Sequence, residues 1–93
     1  MALKFDWDPD KARSNREKHN VSFIEAASVF SDPFSITQFD TRHAAEEDRY
    51  LILGYSDRQR LLVVVYTERT DYIRVISARP ATRIEKNAYE QDC

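Results

Sequence analysis

The stretch Arg49–Arg79, "RYLILGYSDRQRLLVVVYTERTDYIRVISAR", decides the fold. "RYLILGYS" and "RLLVVVYTER" are rich in β-branched and aromatic residues, and Ser56-Asp57-Arg58-Gln59 between them makes a hairpin. "YIRVISAR" follows through Thr70-Asp71, with Ile73 and Val75 expected on one face and Arg74 and Ile76 on the other. No glycine marks the first turn, so a longer or type I loop is expected there rather than a tight primed turn.

Working outward, "FSITQF" (Phe34–Phe39) reads as another short strand, and "DTRHAAEED" (Asp40–Asp48) as a polar connection. Upstream, "SFIE" (Ser22–Glu25) is a capping box opening a helix, with Phe23, Ala26, Ala27 and Phe30 on one apolar stripe. Asp32-Pro33 stops it. Before that, Asp8 followed by Pro9 starts a helix that runs to His19, with Asn20 as a left-handed terminal residue. "LKFDW" (Leu3–Trp7) alternates like a half-buried strand. Downstream, "TRIE" (Thr82–Glu85) is a second capping box, opening a helix through about Tyr89. The order β-α-α-β-β-β-β-α and the short connections predict an α+β fold: an antiparallel sheet with the helices on one face. Trp7 and Tyr66 are assigned to packing, and Tyr89 is left open.

The chain has 93 residues, 42% hydrophobic and 32% charged, which fits one small globular domain, residues 1–93. No 18-residue apolar run exists and no apolar segment follows Met1, so neither a membrane span nor a signal peptide is expected. The single cysteine, Cys93, suits a reducing cytosol. His19, His43 and Cys93 do not have the spacing of a zinc site, and the single glycine, Gly54, rules out a glycine-rich phosphate loop. Net charge is −2, but residues 58–83 hold six arginines against Glu68 and Asp71. Such a basic stripe on an acidic chain suits a local polyanion site or, alternatively, a charged sheet edge.

The first helix is odd, because Ala12 is its only hydrophobic residue after Pro9. Lys11, Asn15 and Lys18 recur on one face, with His19 one position round. Two ammonium groups, a carboxamide and an imidazole suit phosphate contact and a nearby proton transfer. The bland alternative is a solvated face with Asn15 bonded locally and His19 capping the helix end. Glu68 and Arg69 end one predicted strand and Arg79 ends the next, with Arg74 midway. Arginine forks there could bind phosphate or form cross-strand ion pairs. An antiparallel pair puts those two strand ends at opposite edges.

"FDWDPDKARSNREKHNVSFIEAASVFSDP", Arg49 with Gly54, "LLVVVYTER", "RVISARPAT" and the pair Glu85 and Tyr89 together resemble the BrnT family. These are ribonuclease toxins of type II toxin–antitoxin systems with a RelE-like fold. The most specific blocks are W-D-x-x-K…N-x-x-K-H and S-A-R-x-A-T, and the likeness spans roughly residues 5 to 90. The resemblance implies metal-independent RNA cleavage by attack of the ribose 2′-OH on the adjacent phosphate, with no cofactor, in the cytoplasm. It implies a BrnA-type ribbon-helix-helix antitoxin, and contact with DNA only through that partner. It also implies roles: Lys11 and Lys18 at phosphate, His19 in proton transfer, Arg69 and Arg79 at the transition state, and Glu68 as a base. Asn15 and Arg74 complete the expected phosphate contacts. Two other readings stay open, a non-catalytic co-repressor that only binds the antitoxin and a nucleic-acid-binding module without chemistry.

Overall fold

The structure, a computed structural model, describes residues 3–41 and 47–92, so most of the expected polar connection falls outside the described residues. The strands are β1 (Phe5–Asp6), β2 (Ile36–Phe39), β3 (Tyr50–Tyr55), β4 (Leu61–Glu68) and β5 (Ile73–Pro80). The helices are α1 (Pro9–His19), α2 (Phe23–Ser28), which continues into a 3₁₀ turn (Val29–Ser31), and α3 (Arg83–Asp92). All five strands join one sheet in the order β1-β5-β4-β3-β2.

β2 to β5 pair antiparallel, as their short connections demand. The sheet is nevertheless mixed, not antiparallel throughout. β1 runs parallel to β5, with Phe5 opposite Ile73 and Asp6 opposite Arg74. The β3–β4 loop closes with Ser56 N–H on Arg60 O (2.9 Å) and Gln59 N–H on Ser56 O (2.9 Å). Gln59 adopts φ 60°, the left-handed conformation that lets a three-residue loop join two strands without a primed turn.

One face of the sheet carries the core. Ile52, Leu62, Val64, Tyr66, Val75 and Ala78 meet Val21, Phe23, Ala26 and Val29 from the helical layer. Tightening into the 3₁₀ turn changes the expected stripe. With three residues per turn, Val29 takes the fully buried place and Phe30 is only half-buried. Phe30 still links an aromatic row, at 5.2 Å from Phe5 and 4.9 Å from Tyr66, which stacks on Tyr50 at 5.6 Å.

A register shift between Val65 and Tyr66 sets Val65 opposite Ser77 but Tyr66 opposite Val75, leaving Ile76 as an extra residue. This bulge keeps both Val75 and Ala78 in the core and turns Ile76 and Ser77 to the opposite, more open face. The helices are not all on one face either. Glu85 and Ala88 of α3 border a hollow of about 280 Å³ with Ile36, Gln38, Leu51, Leu53 and Val63, whose side chains alternate away from the core.

α3 is tied down by polar contacts. Tyr89 donates its hydroxyl to Asp32 Oδ2 (2.7 Å), which also accepts Tyr55 N–H (2.8 Å). Gly54 permits this hub, since a Cβ there would lie 3.1 Å from Asp32 Oδ2, Ser35 Cβ and Val29 Cγ1. The carboxylate of Glu25 does not complete its expected capping box. Ser22 Oγ accepts Glu25 N–H (3.1 Å), but the carboxylate turns inward to Arg60 and accepts Ser56 Oγ–H (2.7 Å).

Candidate functional site

α1 owes its position to Asn15. Its Nδ2 donates to Ala78 O (2.8 Å) and Val21 O (3.0 Å), and its Oδ1 accepts Ala78 N–H (3.0 Å). β1 pairs only with Ile73 and Arg74, so the outer edge of β5 would otherwise be bare beyond them. The amide of Asn15 stands in for a neighbouring strand and closes that edge. A helix held this way needs little apolar surface, which explains a helix whose only hydrophobic residue after Pro9 is Ala12. It also corrects one expectation. Asn15 is buried and its amide is spent on backbone, so it is removed from the phosphate contacts.

The helix caps follow the sequence. Asp8 Oδ1 accepts Asp10 N–H (3.1 Å), Pro9 takes the first helical position, and Asn20 is left-handed at φ 56°. With Asn15 turned inward, Lys11, Lys18 and His19 remain exposed on α1. They line a hollow of about 200 Å³ whose other wall is the bulge, Ile76 and Ser77. A second hollow, of about 190 Å³, lies on the open sheet face between Asp40, Arg49, Leu51, Val63, Val65, Ile76, Ser77 and Arg79. Ile76 and Ser77 border both, so the two hollows lie side by side along the bulge, a track from α1 to the sheet.

Arg79 is held by α3. Its Nη1 donates to Glu85 Oε1 (2.8 Å) and its Nη2 to Glu85 Oε2 (2.8 Å). Glu85 also completes its capping box, accepting Thr82 N–H (2.8 Å) while Thr82 Oγ1 accepts Glu85 N–H (3.2 Å). The Arg79 fork, reinforced by those Thr82 bonds, holds the Glu85 carboxyl down at about 2, and the same fork raises the pKa of Arg79.

The remaining expected residues lie elsewhere. Val63 stands opposite Arg79 and Glu68 opposite Ile73. That puts Glu68 about 17 Å along the strand from Arg79. Arg69 pairs with Glu47 (2.9 Å) beside the β4–β5 turn, and Arg74 pairs with Asp6 (2.6 Å) on the adjacent strand. The structure thus brings Lys11, Lys18, His19 and Arg79 to one track and leaves Glu68, Arg69 and Arg74 outside it. Arg49 and Ser77 also border the track. In the sequence they stood out only as parts of the family resemblance, Arg49 with Gly54 and Ser77 in S-A-R-x-A-T, with no site role assigned to either.

No helix among the described residues is long and apolar enough to cross a membrane. A search of curated proteins gives no match. Among solved structures, the chain is similar to the ribonuclease toxin BrnT of Brucella abortus, with a TM-score of 0.64 and 21% identity over 88% of this chain and 100% of that one. The family described as ribonuclease toxin, BrnT, of type II toxin–antitoxin systems matches residues 7–85. With that match running from Trp7 in β1's wake to Glu85 on α3, the chain belongs to the BrnT toxin family.

Proposed function

We propose that this chain, acting as one domain in the cytoplasm, is a metal-independent endoribonuclease of RelE-like type. The observation that carries the reading is that the hollow lined by the α1 cations and His19 adjoins, across Ile76 and Ser77, the hollow lined by Arg79. Lys11 and Lys18 hold the phosphates of a single strand, and His19 takes the proton of the 2′-OH. The 2′ oxygen attacks phosphorus to close a 2′,3′-cyclic phosphate, the bond to the 5′ oxygen breaks, and that oxygen leaves as a hydroxyl by taking a proton from solvent water. Arg79 stabilises the charge that gathers on the phosphorane oxygens. Glu68, Arg69 and Arg74 act away from the reacting centre, Arg69 in its pair with Glu47 and Arg74 in its cross-strand pair with Asp6.

The partner in this reading is a BrnA-type ribbon-helix-helix antitoxin, which neutralises the chain and carries the complex to DNA. A second reading has one observation in its favour: Glu85 already occupies the fork of Arg79. On that reading the chain is a non-catalytic co-repressor.

Inducing the chain without its neighbouring gene, and mapping 5′-hydroxyl ends in total RNA, separates the two. New ends that disappear in folded His19→Ala and Arg79→Ala variants support the nuclease. A folded, expressed chain that generates no new ends overturns it in favour of the co-repressor.

A further inference from the structure

One row of side chains crosses the whole sheet on its open face. Asp40 N–H bonds to Arg49 O (2.8 Å), so these two residues face each other at the end of the β2–β3 ladder. Tyr50 pairs with Tyr66, and the ladder continued by one residue sets Arg49 across from Thr67. Thr67 pairs with Arg74, and Arg74 with Asp6. Arg74 is satisfied by Asp6.

The middle of the row is different. Among the described residues, Arg49 Nε and Thr67 Oγ1 are the two buried side-chain polar atoms without a hydrogen-bond partner, and the continued register sets their residues on adjacent strands. An unmet buried polar atom costs about 1–3 kcal/mol, and of the two residues the half-buried Arg49 is the one a ligand can reach, since Thr67 does not border the neighbouring hollow. Arg49 also lines the hollow that contains Arg79 and Ser77.

We infer that Arg49 is a phosphate-binding residue: the hollow between Arg49 and Arg79 takes a backbone phosphate of the RNA strand that Lys11 and Lys18 hold next door. This deepens the ribonuclease reading and rests on it. An arginine fork matches two phosphate oxygens, and the Ser77 hydroxyl borders the same space. A protein carboxylate could also meet an arginine fork. Asp40 also borders the hollow and Glu85 holds the Arg79 fork, yet Arg79, Lys18 and Lys11 continue the row of cations beyond Arg49, which favours a polyanion with repeating charge instead.

The test uses the full chain and a single-stranded 2′-O-methyl oligoribonucleotide, which lacks the attacking hydroxyl and cannot be cut. The Arg49 Nε–H resonance should shift on titration with it. Arg49→Lys, which keeps the charge but loses the fork, should bind about tenfold more weakly. Arg49→Gln should reduce the slope of log affinity against log salt by about one, while Arg58→Gln, on the β3–β4 turn, leaves the slope unchanged. Thermal unfolding of each variant verifies the fold. The inference is overturned if folded Arg49→Lys and Arg49→Gln bind like the parent, or if the resonance moves with a polyglutamate peptide and not with the oligonucleotide. Cleavage is scored separately. Parent RNA cutting with an inert Arg49 sinks this inference alone, whereas oligonucleotide binding through Arg49 without any 5′-hydroxyl ends sinks the nuclease reading alone.

Discussion

Replacing Asn15 with alanine separates a structural latch from an RNA contact. The substitution removes three hydrogen bonds and strands Ala78 N–H, Ala78 O and Val21 O, in residues that are 0% exposed. Water does not reach those groups, so each stranded atom costs its desolvation, about 1–3 kcal/mol, softened where the backbone can relax. We expect a loss of about 3–5 kcal/mol, against a total of roughly 5–15 kcal/mol for a domain of this kind. The midpoint of thermal unfolding should fall by about 15–30 °C.

Urea unfolding followed by the fluorescence of Trp7, the one tryptophan, measures this directly, since Trp7 packs on Phe23 at 5.9 Å beside α1. Lys11→Ala and Lys18→Ala on the same helix should stay within about 0.5 kcal/mol of the parent. Asn15→Asp adds a signature in pH. It keeps an acceptor for Ala78 N–H but aims a carboxylate at two carbonyl oxygens, so its folded pKa rises. Its deficit is therefore largest at neutral pH and shrinks on acidification through that raised pKa. If Asn15→Ala unfolds within 1 kcal/mol of the parent and weakens only RNA binding, the latch is refuted and Asn15 returns to the phosphate contacts.

Arg60→Ala should destabilise by about 2–4 kcal/mol in urea titrations, because it abandons the buried Glu25 carboxylate, whose pKa the Arg60 bond lowers. Glu85→Gln should cost about 1–2 kcal/mol at neutral pH, a figure reduced for the solvent screening of an arginine that is 40% exposed. The Glu85 pKa is depressed from 4.5 to about 2, so its contribution is complete above the unfolded value and is lost as pH falls towards 2. Parent and Glu85→Gln stability curves should therefore converge on acidification, and parallel curves would contradict the pairing. Gln59→Gly should raise stability by about 0.5–1 kcal/mol by relieving the left-handed φ of 60°, read as a higher unfolding midpoint.

Strands and caps were legible in the sequence because their causes are local. Runs of β-branched and aromatic residues placed β3, β4 and β5, and Asp8, Ser22 and Thr82 marked helix starts through bonds to residues two or three positions on. Asn20 could be read as left-handed for the same reason. What failed depended on partners far along the chain. Asn15 sits at helical spacing between two lysines and looks like surface, and only the bare edge of β5 draws it inward. Glu25 fits a capping box, yet Arg60 and Ser56 claim its carboxylate. β1 has two residues, too few to signal a parallel partner nearly seventy positions away. The face taken by α3 is set by Arg79–Glu85 and Asp32–Tyr89, pairs without periodicity. Of the candidate site, the α1 cations and Arg79 were visible as charge on recognisable elements. Arg49 was noted only within the family resemblance and was given no role, since burial without a partner leaves no mark in a sequence.

The latch between Asn15 and Ala78 spans 63 positions, and β1 reaches a little farther to its own partner on β5. During synthesis the N-terminal helix emerges early but has nothing to dock on until β5 has been made. Contacts of such sequence separation form late, after the local hairpins. The cationic side of α1 therefore meets the arginines of the sheet only after β5 has been made.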